Sequence, residues 1–255
     1  MSLLETEALD VRIADVKVCR GLSIAVDAGQ RWALLGRNGV GKTTLLHTLA
    51  GLRAPAAGRV LLERTSVNAM PRRRLAQRLG LLPQDNQDPF PATVMETALM
   101  GRHPHIPAWR WEDETDHRIA AEVLAELDLA ELAERDVGTL SGGERRRVAV
   151  ATLLAQNPGL MLLDEPSNHL DVHHQIDVLN RLDRHAGDQG ALILAIHDVN
   201  LAVRFCSHAL LLFGDGEACH GPVGNMLEAQ VLSTLYRHPM QEARAGDGRR
   251  LFVPA

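Results

Sequence analysis

Aromatic residues are scarce in this 255-residue chain, which has four Phe, three Trp and a single Tyr. Proteins that stack bases or sugars on aromatic rings usually carry more rings, so such a stacking surface is not expected. The net charge of −5 points the same way, because nucleic-acid-binding domains are usually basic. We therefore predict no nucleic-acid partner, and a ligand that is held mostly without aromatic faces.

Cysteines and long hydrophobic runs are also few. Cys19, Cys206 and Cys219 are scattered and show no CxxC spacing, which argues against a disulfide framework or a structural zinc site and favours a reducing compartment. The longest apolar runs, such as residues 148–155, are far shorter than the roughly 18 residues that span a bilayer. The acidic residues 1–10 do not resemble a signal peptide. We expect a chain that is soluble by itself and reaches a membrane only through a partner.

Strand-like and helix-like segments alternate along most of the chain. Short runs rich in Val, Ile and Leu predict buried strands over residues 31–35, 79–82, 160–163, 191–196 and 209–213. Helical spacing of apolar residues predicts helices over residues 43–52, 119–127, 144–156 and 174–185. This alternation predicts an α/β fold with a parallel sheet covered by helices, and residues 8–26 predict a small antiparallel sheet at its edge.

The region that begins near residue 85 interrupts the alternation with prolines, charges and two Trp. We interpret residues 87–156 as a mostly helical subdomain inserted into an α/β core formed by residues 1–86 and 157–240. Residues 241–255 contain two glycines and a pair of arginines, and they predict a loosely held C-terminal tail with a short terminal strand. The whole chain, residues 1–255, is predicted to form a single domain.

The sharpest motif runs from Gly36 to Thr44 and fits the P-loop pattern GxxxxGK[ST] between a predicted strand and a predicted helix. Its glycines let several backbone N–H groups point at one anion, at a helix N-terminus that already carries partial positive charge. A glycine-rich turn with an exposed lysine is the alternative, and the flanking strand and helix argue against it. We predict a nucleotide phosphate site formed by Gly36, Asn38, Gly39, Gly41, Lys42, Thr43 and Thr44.

Two acidic residues follow another predicted buried strand. Asp164 and Glu165 come directly after residues 160–163, at the sheet edge where nucleotides bind in α/β folds. We predict that Asp164 and the hydroxyl of Thr43 bind Mg²⁺, and that Glu165 polarises the attacking water. An apolar run followed by two acids is weak evidence alone, but it gains weight beside a P-loop.

Together with these motifs, Leu140-Ser-Gly-Gly-Glu144 resembles the signature motif of the ATP-binding subunits of ABC transporters. Gln84 is similar to the Q-loop glutamine of that family, residues 167–171 are similar to its D-loop, and His197 to its switch histidine. The matches keep the family's order and cover residues 8–235. The resemblance implies a P-loop NTPase (RecA-like) core with an edge antiparallel β subdomain and a helical signature subdomain.

The resemblance also implies roles that spacing alone does not. Two copies would face head to tail, with each ATP and Mg²⁺ between the P-loop of one copy and the signature motif of the other. The signature and D-loop residues implied to bind nucleotide are Ser141, Gly142, Gly143 and Asp171. Gln84 would contact Mg²⁺ and assist catalysis, and His197 would sense the γ-phosphate. A lone histidine after a strand is more often a satisfied polar residue, and only its place in the motif order favours function.

The family resemblance further implies the partners and the location. Two integral membrane permease subunits would bind the pair of ATPases, and a substrate-binding protein would act indirectly. The chain would then be peripheral, on the cytoplasmic face of the inner membrane. In one respect the sequence departs from the family, because Arg12 or Ile13 stands where an aromatic residue usually stacks on adenine. We predict weak discrimination between nucleotide bases.

The segment from Thr97 to His105 contains Gly-Arg-His-Pro-His and resembles importers of ferric siderophores, haem and cobalamin. Residues 171–178 are similar to that subgroup too. Trp109 and Trp111 follow, and they either face the membrane partner or pack within their own loop. The prediction is an ATPase subunit of an importer for such metal chelates. Another ABC importer, an exporter or a non-transport ABC ATPase is the alternative.

Overall fold

The computed structural model describes residues 2–84, 91–107, 109–168, 170–246 and 248–255. The chain divides into two compact units, Met1–Ala69 with Ala191–Ala255 and Met70–Gly190. The predicted boundary between the α/β core and the helical insertion, at residues 86 and 87, lies outside the described residues. That division of the chain therefore stays a prediction.

The first unit begins with an antiparallel sheet and the P-loop. Its elements are β1 (Ser2–Ile13), β2 (Val16–Leu22), β3 (Ala25–Asp27), β4 (Arg31–Gly36), α1 (Lys42–Leu49), β5 (Ala57–Leu62) and β6 (Thr65–Ser66). Strands pair in the order β2-β1-β5-β6, and β3 pairs with β1. The prediction of an antiparallel sheet is confirmed, although the sheet begins at Ser2 rather than at residue 8.

The second unit is mostly helical around two strands. Its elements are α2 (Arg72–Arg78), β7 (Leu79–Leu82), α3 (Val94–Met100), α4 (Glu114–Glu126), α5 (Gly142–Gln156), β8 (Leu160–Asp164) and α6 (Val172–Ala186). Strands β7 and β8 are parallel neighbours, with Leu82 opposite Leu163. Helices α3, α4 and α5 pack against one another. Each of these three helices begins with a capping box, in which the N-cap and third residues exchange hydrogen bonds.

The chain then returns to the first unit. Its remaining elements are β9 (Ala191–Ala195), α7 (Val199–Phe205), β10 (His208–Leu212), β11 (Ala218–Pro222), α8 (Val223–Met226), α9 (Ala229–Tyr236), β12 (Met240–Arg244) and β13 (Arg250–Pro254). Strand β4 lies between β10 and β9 and is parallel to both. Residues 32–36 of β4 and all of β9 are buried, as the unbroken apolar runs predict.

The end of the chain contains the short terminal strand that the sequence predicts. This strand, β13, pairs antiparallel with β12, so these two strands are not loosely held. The side chain of Asn200 in α7 hydrogen-bonds both backbone groups of Phe252, accepting from its N–H at 2.8 Å and donating to its carbonyl at 3.1 Å. Phe252 is 2% exposed. The hairpin is therefore attached to the first unit by a buried aromatic ring and two hydrogen bonds.

Candidate functional site

The P-loop lies between β4 and α1, as the motif predicts. Arg37, Asn38 and Gly39 are exposed at its tip. Gly41 is the N-cap of α1 and has a φ of +103°, a conformation that side chains with a Cβ rarely adopt. A Cβ at Gly41 would also collide with the side chain of Val18 in β2. The motif glycine is thus required both by backbone conformation and by close packing.

Lys42 is the first residue of α1 and is 6% exposed. Its Nζ donates hydrogen bonds to the carbonyl oxygens of Gly36 at 2.9 Å and Arg37 at 3.4 Å, so the P-loop's own backbone holds the ammonium group inside the loop. Thr43 is half-buried and Thr44 is buried next to it. This arrangement places a cation at the N-terminus of a helix, which is the chemistry that binds phosphate.

His197 shares a sheet edge with the P-loop. Strands β4 and β9 are parallel, with Leu34 opposite Ala195, and the N–H of Ile196 donates to the carbonyl of Leu34 at 3.3 Å. The carboxyl ends of the two strands therefore lie side by side, and the P-loop follows one while His197 follows the other. His197 is exposed. This geometry fits the predicted sensor role without testing it.

In the second unit, Gln84 and Glu165 meet at the ends of β7 and β8. The Gln84 side chain donates to Oε2 of Glu165 at 3.3 Å, and the Asn168 side chain donates to the same oxygen at 3.1 Å. Two amide donors on one carboxylate oxygen fix its direction. Asn168 was not among the predicted site residues, although it lies within the D-loop match. His169 of the same match lies outside the described residues.

Asp164 is the last residue of β8 and is 1% exposed. A carboxylate buried to this degree suits a position that faces a cation. Thr43 offers a hydroxyl oxygen and Gln84 an amide oxygen, and oxygen ligands of these kinds are those that Mg²⁺ prefers. The chemistry of the predicted metal ligands therefore fits the ion.

Ser141 is the N-cap of the 15-residue helix α5. Its hydroxyl donates to Oε2 of Glu144 at 2.7 Å, and its backbone N–H donates to the same oxygen at 2.8 Å. These hydrogen bonds lower the pKa of Glu144 below its ordinary value. Ser141 and Gly142 are exposed and Gly143 is half-buried. Backbone N–H groups of the first helical turn are the anion-binding groups that such a terminus offers.

Asp171 is the N-cap of α6. Its Oδ1 accepts hydrogen bonds from the backbone N–H and from Nδ1 of His174, both at 2.9 Å. The backbone hydrogen bond and then the ring contact lower the pKa of Asp171. Asp171 and Val172 are exposed. The structure thus gives Asp171 a local capping role, and its predicted contact with nucleotide stays a prediction.

The Gly-Arg-His-Pro-His segment mainly holds the second unit together. A Cβ at Gly101 would collide with the carbonyl of Thr152, so α3 ends in direct contact with α5. Arg102 Nε pairs with Asp116 of α4 at 3.0 Å, and its Nη1 donates to the carbonyl of Ala155 at 2.8 Å. The Pro104 carbonyl accepts from two side chains of α2, and His105 bonds the Gln156 carbonyl. The segment therefore has a structural role within the second unit.

Trp109 and Trp111 lie beyond this segment and are 87% and 86% exposed. They do not pack within their own loop, so that alternative is wrong for these two rings. Ile13 and Val16 form another exposed apolar pair, opposite each other where β1 turns into β2. Arg12 is exposed beside them. Of the two residues predicted to stand at the family's aromatic position, Ile13 belongs to this exposed aliphatic pair and Arg12 is an exposed cation.

Comparisons with known proteins agree with these motifs. The family described as ABC transporter matches residues 19–168. The ferric enterobactin transport ATP-binding protein FepC of Escherichia coli (strain K12) is 35% identical over 235 residues, covering 91% of this chain and 86% of FepC. The hemin import ATP-binding protein HmuV of Bradyrhizobium diazoefficiens is 35% identical over 243 residues, covering 92% of this chain and 88% of HmuV.

One solved structure, of a metal-chelate type ABC transporter in an inward-facing conformation, superposes with a TM-score of 0.86 at 29% identity, covering 100% of this chain and 98% of that chain. The chain belongs to the ABC transporter family and is an ATP-binding, ATP-hydrolysing subunit with the P-loop NTPase fold. No helix in the described part of the chain is long and apolar enough to cross a membrane.

Proposed function

We propose that Glu165 activates the water that attacks the γ-phosphate of ATP. This proposal rests on the hydrogen bonds that the side-chain amides of Gln84 and Asn168 donate to the Glu165 carboxylate at the end of β8. In the reaction, the water oxygen bonds to the γ-phosphorus while the bond from that phosphorus to the β–γ bridging oxygen breaks. Glu165 accepts the proton that the water loses. The products are ADP and inorganic phosphate.

The remaining roles are proposed from the family resemblance together with the local chemistry. Lys42 and the P-loop backbone hold the phosphates, and His197, on the same sheet edge, senses the γ-phosphate. Asp164, Thr43 and Gln84 would hold Mg²⁺. When bound, this ion would offset the negative charge of the β- and γ-phosphates. All three side chains supply hard oxygen ligands.

We further propose that two copies of the chain act head to tail around ATP. The exposed N-terminus of α5 supports this, because it offers the N–H groups of Gly142 and Gly143 to an anion on another molecule. The hydroxyl of Ser141 already donates to Glu144, so backbone groups would make most of the phosphate contact. Asp171, the last residue of the D-loop match, and Val172 after it are exposed and would lie at the same interface.

The transported substrate is proposed to be a metal chelate, either an iron siderophore, haem or cobalamin. Relatives named for ferric enterobactin and hemin support this class, as does the solved metal-chelate type transporter. The ATPase pair would sit on the cytoplasmic face of the membrane, bound to two permease subunits and acting indirectly with a substrate-binding protein. Trp109 and Trp111 are the exposed rings that we assign to the permease contact.

Nucleotide titration and phosphate release by the purified chain test the ATPase roles. Lys42→Ala removes the buried ammonium and is expected to raise the Kd for ATP at least about tenfold, since charged hydrogen bonds to phosphate are strong. Lys17, the one other lysine of the sequence, is exposed on β2 and gives the matched control Lys17→Ala. Equal Kd values for the two variants would contradict the phosphate site.

Uptake into vesicles tests the transport role. The chain is co-purified with its membrane partners, and the complex is reconstituted with ATP on the side of the ATPase. We expect accumulation of one labelled class among ferric siderophores, haem and cobalamin, and loss of accumulation with Lys42→Ala. Movement of substrate in the opposite direction would identify an exporter, and an absence of membrane partners would favour a non-transport ABC ATPase.

A further inference from the structure

Arg146 is a buried charged residue in the second turn of α5. It is 6% exposed, and it follows the signature segment by two residues. Its Nη2 donates to the carbonyl oxygens of Asp164 at 2.6 Å and Glu165 at 2.7 Å. Its Nη1 donates to the carbonyls of Pro83 at 2.6 Å and Gln84 at 3.3 Å, and its Nε to that of Pro166 at 3.3 Å.

These contacts suit the shape of the guanidinium group. An arginine side chain carries five N–H donors in a fixed planar fork, and here five backbone carbonyls accept from it. The carbonyls belong to two separate segments, residues 83–84 after β7 and residues 164–166 at the end of β8. Lysine has three donors and a glutamine amide has two, so neither could hold all of these carbonyls.

The backbone that Arg146 holds is also unusual. Glu165 has a φ of +50°, a left-handed conformation that residues other than glycine rarely adopt. Such a conformation persists where the surrounding structure fixes it, and such residues cluster at functional sites. The Glu165 carbonyl accepts from Arg146 and, at 3.1 Å, from the backbone N–H of Asn168. These two donors fix the peptide unit from which the carboxylate projects.

We propose that Arg146 is a positioning residue for ATP hydrolysis, which holds the backbones of Glu165 and Gln84 so that their side chains meet. The inference rests on the proposed role of Glu165. Arg146 lies on α5, the helix that begins at the signature motif, and it joins this helix to the chain at the ends of β7 and β8. A displacement of α5 would therefore move the Glu165 carboxylate with it. Arg146 touches neither water nor phosphate in this account.

The test replaces Arg146 and separates turnover from binding. Arg146→Gln is expected to lower kcat at least about tenfold, because displacement of a catalytic group by 1 Å costs as much as about 100-fold. The KM and the Kd for ATP should change less than about threefold, since the P-loop is untouched. Arg146→Lys keeps the charge and has three donors, so its kcat should lie between those of the parent and Arg146→Gln. It also serves as the test variant if Arg146→Gln does not fold.

Arg147→Gln is the matched control. Arg147 is the next residue of α5, is half-buried, and donates to the carbonyl of Leu127 at 3.2 Å, away from Gln84 and Glu165. We expect its kcat to remain within about twofold of the parent. If Arg147→Gln lowers kcat as much as Arg146→Gln, or if Arg146→Gln and Arg146→Lys keep the parental kcat, the proposal is overturned.

A double substitution distinguishes positioning through Glu165 from a general loss of structure. Single-turnover hydrolysis of radiolabelled ATP is followed over hours in Glu165→Gln, with and without Arg146→Gln. If Arg146 acts through the carboxylate, the second change lowers the residual rate less than about twofold. A further tenfold loss would overturn the positioning role. Parental activity in Glu165→Gln would instead overturn the proposed function, so the two failures are distinguishable.

Discussion

Gln84 and Glu165 lie 81 residues apart in the sequence, and the side-chain amide of Gln84 donates to Oε2 of Glu165 at 3.3 Å. The contact exists because β7 and β8 are parallel neighbours, so the residues that follow them leave the sheet together. A residue implied to contact Mg²⁺ is thereby joined to the residue proposed to activate water. Loss of this amide should affect turnover more than binding.

Gln84→Ala tests that relationship. Without the amide, the hydrogen bond from Gln84 to the Glu165 carboxylate is lost and the direction of that carboxylate is less fixed. We expect kcat for ATP hydrolysis to fall about tenfold or more, while the Kd for ATP changes less than about threefold. Gln230→Ala, at an exposed position of α9, is the control and should retain the parental kcat. A parental rate in Gln84→Ala would count against the assignment.

Ile13→Tyr tests what contacts adenine. Ile13 is 41% exposed at the end of β1, and it is one of the two residues, with Arg12, predicted to stand where the family usually has an aromatic residue. A tyrosine there should stack on the base and lower the Kd for ATP about fivefold or more, because base–aromatic stacking contributes about 1–3 kcal/mol. Parallel titrations of the parent with ATP and GTP test whether it discriminates weakly between the two bases. A strong preference of the parent for ATP would show that another group recognises adenine.

Asn200→Ala tests the attachment of the C-terminal hairpin. It removes both hydrogen bonds to the backbone of Phe252 and should lower the free energy of unfolding by about 1–3 kcal/mol. Urea denaturation measures the loss. Asn180→Ala, at an exposed position of α6, is the matched control and should be nearly neutral. Equal stability of the two variants would mean that the hairpin does not depend on Asn200.

Asp116→Asn tests the ion pair beneath the Gly-Arg-His-Pro-His segment. Burial would raise the pKa of Asp116, but its hydrogen bonds from Arg102 and from Asp113 lower it overall. A carboxyl with a lowered pKa stabilises the fold above its unfolded pKa of about 4, and this contribution is lost as the pH falls through the folded pKa. The variant should be less stable than the parent by about 1–3 kcal/mol at pH 7.

The difference in the free energy of unfolding between the parent and Asp116→Asn should shrink as the pH falls below about 4, because the parental carboxyl then becomes neutral. Chemical denaturation of the parent and the variant at several pH values measures this difference, and Asp188→Asn, at an exposed position, is the control. A difference that stays constant with pH would mean that the charge of Asp116 does not stabilise the unit.

Several strands and helix starts are predicted well from the pattern of neighbouring residues. The buried runs over residues 79–82 and 160–163 are strands β7 and β8 almost to the residue, because a parallel strand covered on both faces is continuously apolar. Ser141 and Glu144 predict the start of α5 through their capping chemistry. The P-loop is predictable for the same local reason, since its strand, glycines and helix are contiguous.

Other features depend on contacts between distant residues. The sequence predicts a short terminal strand, but not the hydrogen bonds with Asn200 or the burial of Phe252 that hold β12 and β13 in place. The sequence could have predicted that Arg146 is buried. It lies three, four and seven residues before apolar residues of α5, which places it on the buried face of that helix. Its five carbonyl partners, and the left-handed conformation of Glu165, require the folded chain.

The central claim is that Glu165 activates water for ATP hydrolysis, and the rate of phosphate release by Glu165→Gln tests it most directly. The amide keeps the size of the side chain but is a far weaker proton acceptor. We predict a loss of at least about 100-fold in kcat, an ATP Kd within about threefold of the parent, and an ATP-dependent doubling of mass by light scattering. The control is Glu131→Gln, at an exposed position, which should retain the parental rate. Hydrolysis by Glu165→Gln at the parental rate would contradict the account.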